Sequence, residues 1–224
     1  AAVPPDKARY GEACDYLERE IRKLGVDIHL NAAVTEVELD SRKPDAVILA
    51  TGSVPFVPPI QGLSGGGAVL VDDVLEGRAP VGRRVAIIGG GAIGAETAHL
   101  LVEEEDREVY LIEMRDGIAV DLPQDARICL LHAFEQTPSL HQITNAKVTA
   151  VTPESITLER QGQTEVVDRL DTIILAVGAR PNQGLRPALE ALGIPFLVSG
   201  DATGPKDYVK AIYEGFVAGN TIAE

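Results

Sequence analysis

The sequence predicts an α/β fold with buried parallel strands at its centre. One apolar run, residues 85–88, has the pattern of a strand that is covered on both faces. A glycine-rich turn and a helical pattern follow it directly, and a second strand is predicted at residues 108–112. Two further buried runs, residues 45–52 and 172–178, contain similar strands that end at a glycine. Strands that alternate with helices in this way are typical of a parallel sheet.

The turn after residues 85–88 has the spacing G-x-G-x-x-G, formed by Gly89, Gly91 and Gly94. The first glycine allows a tight turn, the second lets a pyrophosphate approach the backbone, and the third lets helix and strand pack closely. Glu113 ends the next strand about 20 residues further on, where a carboxylate binds a ribose hydroxyl in such folds. This context predicts a dinucleotide site, and a purely structural strand–turn–helix is the alternative.

We expect the dinucleotide to contact the turn, the start of the helix and the end of the second strand. The predicted contacts are Gly89, Gly90, Gly91, Ala92, Ile93, Gly94, Glu113, Met114 and Arg115. Glu113 would accept hydrogen bonds from both ribose hydroxyls of NAD and repel the 2′-phosphate of NADP. Arg115 could pair with that phosphate, which weakens the distinction. The sequence therefore favours NAD(H) over NADP(H).

Composition excludes several other classes of function. The chain has 224 residues and a net charge of −14, which argues against a nucleic-acid surface. It has no apolar run near the ~20 residues of a membrane span, and its first residues have no signal-like apolar segment. Cys14 and Cys129 form no CxxC pair, so we expect reduced thiols in a cytoplasmic protein and no metal site.

The remaining patterns predict further helices and strands. Helices are expected at residues 10–24, 71–75, 125–136 and 208–222, and additional strands at 26–30, 147–151, 155–160, 164–167 and 196–199. In the helix at 125–136, helical spacing predicts that Ile128, Leu131 and Phe134 face inward and that Cys129 is a buried thiol. His29 is expected to be a surface histidine.

Several motifs together resemble the pyridine-nucleotide-disulfide-reductase-like flavoproteins. They are the glycine strand at 85–94, the paired strand endings at 50–52 and 176–178, and Ser199-Gly200-Asp201. The passages PPIQG, VGARPN and AIYEGF make the chain look most like the C-terminal half of 2,4-dienoyl-CoA reductase. That enzyme belongs to the old-yellow-enzyme-like NADH:flavin oxidoreductases. The resemblance covers nearly the whole chain.

The resemblance implies a fold of two Rossmann-like, three-layer β-β-α dinucleotide-binding domains. Residues 80–195 would bind NAD(P)H, and residues 1–79 with 196–224 would form a discontinuous FAD-type domain. Hydride would pass from nicotinamide to FAD, and electrons would then leave to an FMN and iron–sulfur half outside this chain. Glu96 would lie near the nicotinamide; the alternative is an acidic residue that stabilises a helix start. The other implied cofactor contacts are Ala50, Thr51, Gly52, Val177, Gly178, Gly200 and Asp201.

One departure from the family pattern concerns FAD. Family members have an earlier glycine fingerprint for the FAD pyrophosphate, and this sequence has none before residue 85. We therefore expect the sequence to be a fragment, or its first segment to belong to another chain. We also expect FAD to belong to the full-length parent rather than to bind this chain tightly. Exposed strands on the FAD side would favour a homo-oligomer. No acid–base catalyst is assigned on this chain.

Two other functions are compatible with the same motifs. Relatives among the amine dehydrogenases hold ADP in this half without hydride transfer, which makes a structural binding module one alternative. An electron-transfer subunit like that of glutamate synthase is another, because it shares the two-nucleotide plan. The intact glycine fingerprint favours the NADH-accepting module.

Overall fold

The computed structural model describes residues 3–5, 7, 9–63, 66–103, 106–205 and 207–222. They form two compact units, one built from residues 1–25 and 57–177 and the other from residues 26–56 and 178–224. The helices are α1 (Arg9–Lys23), α2 (Glu36–Arg42), α3 (Val71–Leu75), α4 (Ala92–Val102), α5 (Gln124–Glu135), α6 (Arg186–Leu192) and α7 (Tyr208–Ile222).

The strands follow the predicted α/β order closely. They are β1 (Val47–Leu49), β2 (Ser53–Pro55), β3 (Val69–Leu70), β4 (Arg84–Ile88), β5 (Glu108–Ile112), β6 (Leu140–Ile143), β7 (Ala146–Thr152), β8 (Ser155–Arg160), β9 (Gln163–Val167), β10 (Thr172–Leu175), β11 (Ala179–Pro181) and β12 (Phe196–Val198). The predicted α/β fold with a parallel central sheet is therefore confirmed.

The first unit is organised around a parallel sheet of order β3-β10-β4-β5-β6. The chain runs outward from β4 through β5 to β6 and later returns on the other side of β4 as β10. The direction of strand addition thus reverses next to β4. In open α/β sheets a ligand binds outside the carboxyl ends of the strands at such a reversal. The topology therefore points to the carboxyl end of β4.

Side chains of β4 alternate between two cores. Val85 and Ile87 pack with α4 and α5, whereas Ala86 and Ile88 pack with the antiparallel sheet β7-β8-β9. All four are at most 5% exposed. A strand covered on both faces requires a continuous apolar run, which is what the sequence shows. The result is the predicted three-layer β-β-α arrangement within this unit.

A polar cluster lies at the amino ends of β4 and β5 and on the first half of β6. The Tyr110 hydroxyl donates to Glu108 Oε1 at 2.6 Å, and His141 Nε2 lies 3.0 Å from the same oxygen. Arg84 forms an ion pair with Glu108 and stacks 4.7 Å above the Tyr110 ring. The hydrogen bond from Tyr110 lowers the pKa of Glu108, with help from the charges of Arg84 and His141. Burial raises the pKa of Tyr110, and the bond to Glu108 adds to that rise.

This cluster predicts a loss of stability in acid. Because the pKa of Glu108 is lower in the folded chain than its ordinary value of 4.5, its contribution is complete above pH 4.5 and disappears as the pH falls through the lowered pKa. Glu108→Gln should therefore destabilise the chain near neutral pH and lose that effect in acid. The change should be under about 1 kcal/mol, because water screens this partly exposed group.

Urea unfolding at neutral pH and at about pH 3.5 measures this difference. Glu165→Gln is the matched control, because Glu165 lies exposed on β9 of the same unit. A Glu108→Gln effect of the same size at both pH values would contradict the prediction.

The second unit has a smaller core. Strands β1 and β12 pair in parallel, and β2 pairs with β11 antiparallel. Leu39 of α2 packs against Ala188 and Leu189 of α6, two helices that the sequence patterns did not predict. Thr35 and Glu38 form a capping box at the start of α2, and this T-x-x-E signature was readable in the sequence.

Three sequence-based predictions are wrong. Residues 26–30 form no strand: Val26 and Leu30 are 54% and 74% exposed, and no described strand pairs with them to form a ladder. Helix α5 buries Leu130 and Phe134, whereas Ile128, which was predicted to face inward, is 59% exposed. Cys129 is also exposed rather than buried. His29 is exposed as predicted and lies 2.9 Å from Asp27.

Two helices expose the apolar stripes that their sequences predict. Helix α1 has no buried residue, and Leu24 at its end is 79% exposed. In α7 only Ala218 is buried, whereas Val209 and Phe216 are 75% and 69% exposed. No helix in the described part of the chain is long and apolar enough to cross a membrane.

Candidate functional site

The glycine motif forms the corner between β4 and α4. Strand β4 ends at Ile88, and Gly91 is the N-cap residue of α4. Gly91 has no side chain with which to cap the helix, and the first helical N–H groups lie where β4 ends, at the carboxyl edge of the sheet. Such a helix start, with its partial positive charge, suits a phosphate group.

Glycine is required at two positions of this corner. Gly89 has φ +108°, a conformation that residues with a side chain rarely adopt. A Cβ atom on Gly94 would lie 1.9 Å from the Gly89 carbonyl oxygen, which shows how closely α4 approaches the turn. The predicted roles of a tight turn and of close helix packing therefore match the geometry at these two residues.

Glu113 lies at the end of β5 and faces the glycine corner. Its side chain is buried, and Oε2 accepts the Gly90 N–H at 2.8 Å. Oε1 accepts the backbone N–H of Arg115 at 2.8 Å and the Arg115 Nε–H at 3.3 Å. A carboxylate oxygen has about two acceptor positions, so Oε2 retains one for a further donor. The predicted contact of Glu113 with both ribose hydroxyls of NAD stays a prediction.

Met114 and Arg115 follow Glu113 and lie on the surface. Met114 is 68% exposed, and the Arg115 side chain is 55% exposed. The Arg115 side chain is held close to the strand end by its contact with Glu113. The predicted pairing of Arg115 with a 2′-phosphate stays a prediction.

Asp121 is a part of this corner that the sequence patterns did not predict. Its Oδ1 accepts the N–H of Ala92, the first residue of α4, at 2.8 Å. The residues around it pack on the turn: the Ala119 N–H donates to the Gly90 carbonyl at 2.7 Å, and Ile118 is buried beside Gly90. No spacing rule connects Asp121 with the glycine motif, so only the tertiary structure reveals the contact.

Glu96 lies in the second turn of α4, and its side chain is 14% exposed. It forms an ion pair with Lys7, a residue for which the sequence gave no functional signal. A largely buried carboxylate is costly without such a partner, so the pair explains how the charge is held there. The predicted position of Glu96 near a nicotinamide stays a prediction.

Val177 follows β10 at the same edge of the sheet. The preceding residue, Ala176, donates its N–H to the Ile88 carbonyl at 2.8 Å. Its own carbonyl oxygen would lie 2.4 Å from a Cβ atom on Gly89. The end of β10 therefore forms one wall of the glycine corner, and Val177 is a neighbour of the turn.

In the second unit, the strand ending at 50–52 is joined to the segment after β11. The Thr51 hydroxyl donates to the Asn182 carbonyl, and the Asn182 N–H donates to the Gly52 carbonyl at 2.9 Å. Gly178 accepts the Phe56 N–H at 3.0 Å, and Ala50 is exposed. Three of the implied cofactor contacts, Thr51, Gly52 and Gly178, thus lie at the ends of the paired strands β2 and β11.

Gly200 and Asp201 begin a short 3-10 helix after β12. The Gly200 N–H donates to Glu214 of α7 at 3.0 Å, and the Thr203 hydroxyl lies 3.2 Å from the same carboxylate oxygen. The Ser53 hydroxyl lies 3.5 Å from Asp201 Oδ2. Glu214 was not predicted as a site residue, although it lies in the AIYEGF passage that supported the resemblance.

The two units fit their implied cofactors differently. The first unit supplies a glycine corner, a helix start and a buried carboxylate, which fit a dinucleotide. The second unit supplies Thr51, Gly52, Gly200 and Asp201, but no second strand–glycine–helix corner occurs among its described residues. Nor do three or more described His, Cys, Asp or Glu side chains converge in a way that could hold a metal ion.

A parallel sheet with this corner and carboxylate defines a dinucleotide-binding protein of the Rossmann type. Residues 40–203 match the family model described as pyridine nucleotide-disulphide oxidoreductase. The chain belongs to this family. Membership agrees with the predicted class, an oxidoreductase module, and with NAD(P)H and FAD as the cofactors of the family.

Individual relatives agree with this assignment. The chain is 35% identical to a bilirubin reductase of Mediterraneibacter gnavus (strain CC55_001C), over 99% of this chain and 34% of the relative. It is 31% identical to an NADH oxidase of Thermoanaerobacter brockii, over 96% of this chain and 34% of the relative. The chain therefore spans about a third of the length of these curated relatives.

A solved structure shows the same fold. The chain matches 2-naphthoyl-CoA reductase in complex with 2-naphthoyl-CoA with a TM-score of 0.88 and 24% identity. The match covers 97% of this chain and 33% of that chain. The predicted pyridine-nucleotide-disulfide-reductase-like fold is thus confirmed, whereas the narrower resemblance to 2,4-dienoyl-CoA reductase stays a prediction.

Proposed function

We propose that this chain is the NADH-accepting module of a flavin-dependent reductase. The observation that carries the proposal is the corner at Gly89–Gly94, where a helix start and the Glu113 carboxylate meet at the carboxyl edge of the sheet. The helix start would bind the diphosphate, and Glu113 would accept a hydroxyl of the adenosine ribose. Ile93 and Val177 would lie beside the dinucleotide.

Hydride would pass from NADH to FAD, and the electrons would leave to FMN and iron–sulfur groups held outside this chain. The names of the relatives support this proposal, because they include reductases and an NADH oxidase. Thr51, Gly52, Gly178, Gly200 and Asp201 would lie on the flavin side. FAD supplies the redox chemistry when bound, and this chain supplies position and electrostatics. The acceptor would be an enoate or dienoyl-CoA type of substrate.

Glu96 and Lys7 are the charged pair that we assign to the nicotinamide side of the corner. Glu96 lies on the same helix whose first turn would hold the diphosphate, and its ion pair keeps its carboxylate in one place. The pair would orient the nicotinamide ring and hold a fixed charge beside it. No proton transfer is assigned to either residue.

A direct test of hydride transfer uses the chain with added FAD. We expect NADH to drive the reduction of an artificial dye when the chain is present and FAD is added in excess over the chain. Omitting the chain gives the background rate. If NADH binds but no reduction above background occurs at saturating FAD, hydride transfer by this chain is ruled out.

We expect NADH to bind at least tenfold more tightly than NADPH, a difference of ~1.4 kcal/mol. The buried Glu113 carboxylate would repel a 2′-phosphate, and the exposed Arg115 would offset only part of that repulsion. Calorimetric titration with each nucleotide measures the ratio. Arg115→Ala should widen it, whereas Arg169→Ala, an exposed arginine between β9 and β10, should not. Tighter NADPH binding would reverse the proposed preference.

A second candidate is a module that holds ADP without hydride transfer. It is favoured by one observation: the described residues form one glycine corner, and ADP contains every group that this corner and Glu113 would bind. Tight ADP binding together with no flavin reduction in the dye assay would select it. An electron-transfer subunit like that of glutamate synthase would show flavin reduction, so the dye assay separates it from the ADP-binding module.

We infer a cytoplasmic location and self-association. We also infer functional domains at residues 1–79, 80–195 and 196–224; these bounds come from the family resemblance and differ from those of the two compact units. The large exposed side chains of α1 and α7 support self-association. Sedimentation of the isolated chain over a range of concentrations tests it, and a monomer throughout would contradict it.

A further inference from the structure

A carboxylate of this chain binds the helix start that the proposed function assigns to a diphosphate. Asp121 Oδ1 accepts the Ala92 N–H at 2.8 Å. A Cβ atom on Gly91 would lie 3.2 Å from Asp121 Oδ2, so both carboxylate oxygens lie close to the turn. The first residue of α4 thus already has an anionic acceptor, and Asp121 holds one of the amides that a phosphate oxygen would use.

The backbone on the N-terminal side of Asp121 is held firmly. Ala119 is fully buried and donates its N–H to the Gly90 carbonyl at 2.7 Å. Arg127 Nε donates to the Ile118 carbonyl at 2.8 Å. Asp121 itself is exposed. A rotation of its side chain can therefore release the Ala92 N–H while the backbone of residues 118–119 stays on the turn.

We propose that Asp121 competes with the diphosphate of a nucleotide for the start of α4. Asp121 thereby lowers the affinity of the site for ligands that contain a diphosphate, but not for adenosine. The inference rests on the proposed function. A diphosphate at the helix start would take the Ala92 N–H and bring negative charge next to the Asp121 carboxylate, so Asp121 must turn outward when the nucleotide binds. Glu113 is a separate case, because it accepts the Gly90 and Arg115 N–H groups and not the Ala92 N–H at the start of α4.

The competition predicts which ligands bind with a different affinity when the negative charge of Asp121 is removed. NADH and ADP both contain a diphosphate and must displace Asp121, whereas adenosine contains no phosphate and does not. Asp121→Asn removes the charge and keeps an oxygen acceptor for the helix start. We expect it to lower the Kd of NADH and of ADP about fivefold, ~1 kcal/mol, and to leave the Kd of adenosine unchanged.

Calorimetry measures NADH and ADP, and NMR shift titration measures adenosine. Asp125→Asn is the matched control, because Asp125 carries the same charge in the first turn of α5 and is exposed. It should leave all three affinities unchanged. Asp121→Ser provides a second variant in which a hydroxyl can cap α4 without charge, should Asp121→Asn fold poorly.

The wild-type chain offers a test that needs no variant. On addition of ADP, the amide resonance of Ala92 should shift together with those of the glycine turn. If ADP shifts the glycine amides but leaves the Ala92 amide unchanged, the proposed competition is wrong. The same conclusion follows if Asp121→Asn binds ADP as tightly as, or more weakly than, the wild type.

Failure of the proposed function has a different signature. In that case neither NADH nor ADP binds the wild-type chain or its variants, and the inference about Asp121 is lost with the nucleotide site. If NADH and ADP bind the wild-type chain but bind Asp121→Asn no more tightly, the inference about Asp121 is wrong and the proposed function still stands.

Discussion

Gly94→Ala is expected to weaken NADH binding by tenfold or more and to lower the Tm of the chain by about 5 °C. The added Cβ atom would lie 1.9 Å from the Gly89 carbonyl oxygen, so either α4 or the turn must move. Moving a closely packed backbone costs about 1–3 kcal/mol. Alanine occurs at this position in other dinucleotide folds, but the helix and strand approach each other too closely here.

Gly215→Ala is the matched control for that substitution. Gly215 also lies inside a helix, α7, but a Cβ atom there would meet no atom within 4 Å. Alanine in place of glycine in an open helix interior stabilises by about 0.5–1 kcal/mol. A lower Tm for Gly94→Ala together with a higher Tm for Gly215→Ala would confirm that the close packing of the corner causes the loss of stability in Gly94→Ala. NADH binding that is unchanged in Gly94→Ala would show that the nucleotide does not use this corner.

Glu113→Ala is expected to have the second largest effect. It removes the acceptor of the buried Gly90 N–H, and a buried unpaired donor costs about 1–3 kcal/mol. The part-buried Arg115 N–H loses its acceptor as well. It also removes the proposed ribose contact. We expect NADH affinity to fall at least tenfold and Tm to fall by several degrees. Glu135→Ala, which removes an exposed carboxylate from α5, should change neither.

The ratio of NADH to NADPH affinity separates two roles of Glu113. If the carboxylate only supports the turn, its removal weakens both nucleotides equally and the ratio stays constant. If it also contacts the ribose, its removal relieves the repulsion of the 2′-phosphate, and the ratio falls toward one. A constant ratio with reduced Tm would limit Glu113 to the structural role.

The sequence predicted the glycine corner well because local backbone constraints determine it. Gly89 must adopt a positive φ, and Gly94 must lack a side chain, so the spacing of glycines reports geometry directly. The apolar run of β4 likewise reports that both faces are covered. These features involve residues close in sequence and needed no knowledge of the rest of the fold.

Predictions failed where a neighbour outside the local pattern decides the structure. Residues 26–30 alternate like a strand, but alternation forms a ladder only when another strand lies alongside. Ile128 and Leu130 are both apolar, and only the direction from which the sheet approaches α5 determines which one is buried. The helices α2 and α6 are short, seven residues each, and their packing against each other stabilises them.

The amino-acid sequence was sufficient to predict the class of fold, the glycine corner and the carboxylate at the end of β5. Each follows from periodicity or from spacing within one β-α-β passage. Three contacts could be found only in the folded chain: Glu113 accepts the Gly90 N–H, Lys7 pairs with Glu96, and Asp121 accepts the first N–H of α4. These contacts join residues 23, 89 and 29 positions apart, and such distances are closed by strand order and packing rather than by any local preference.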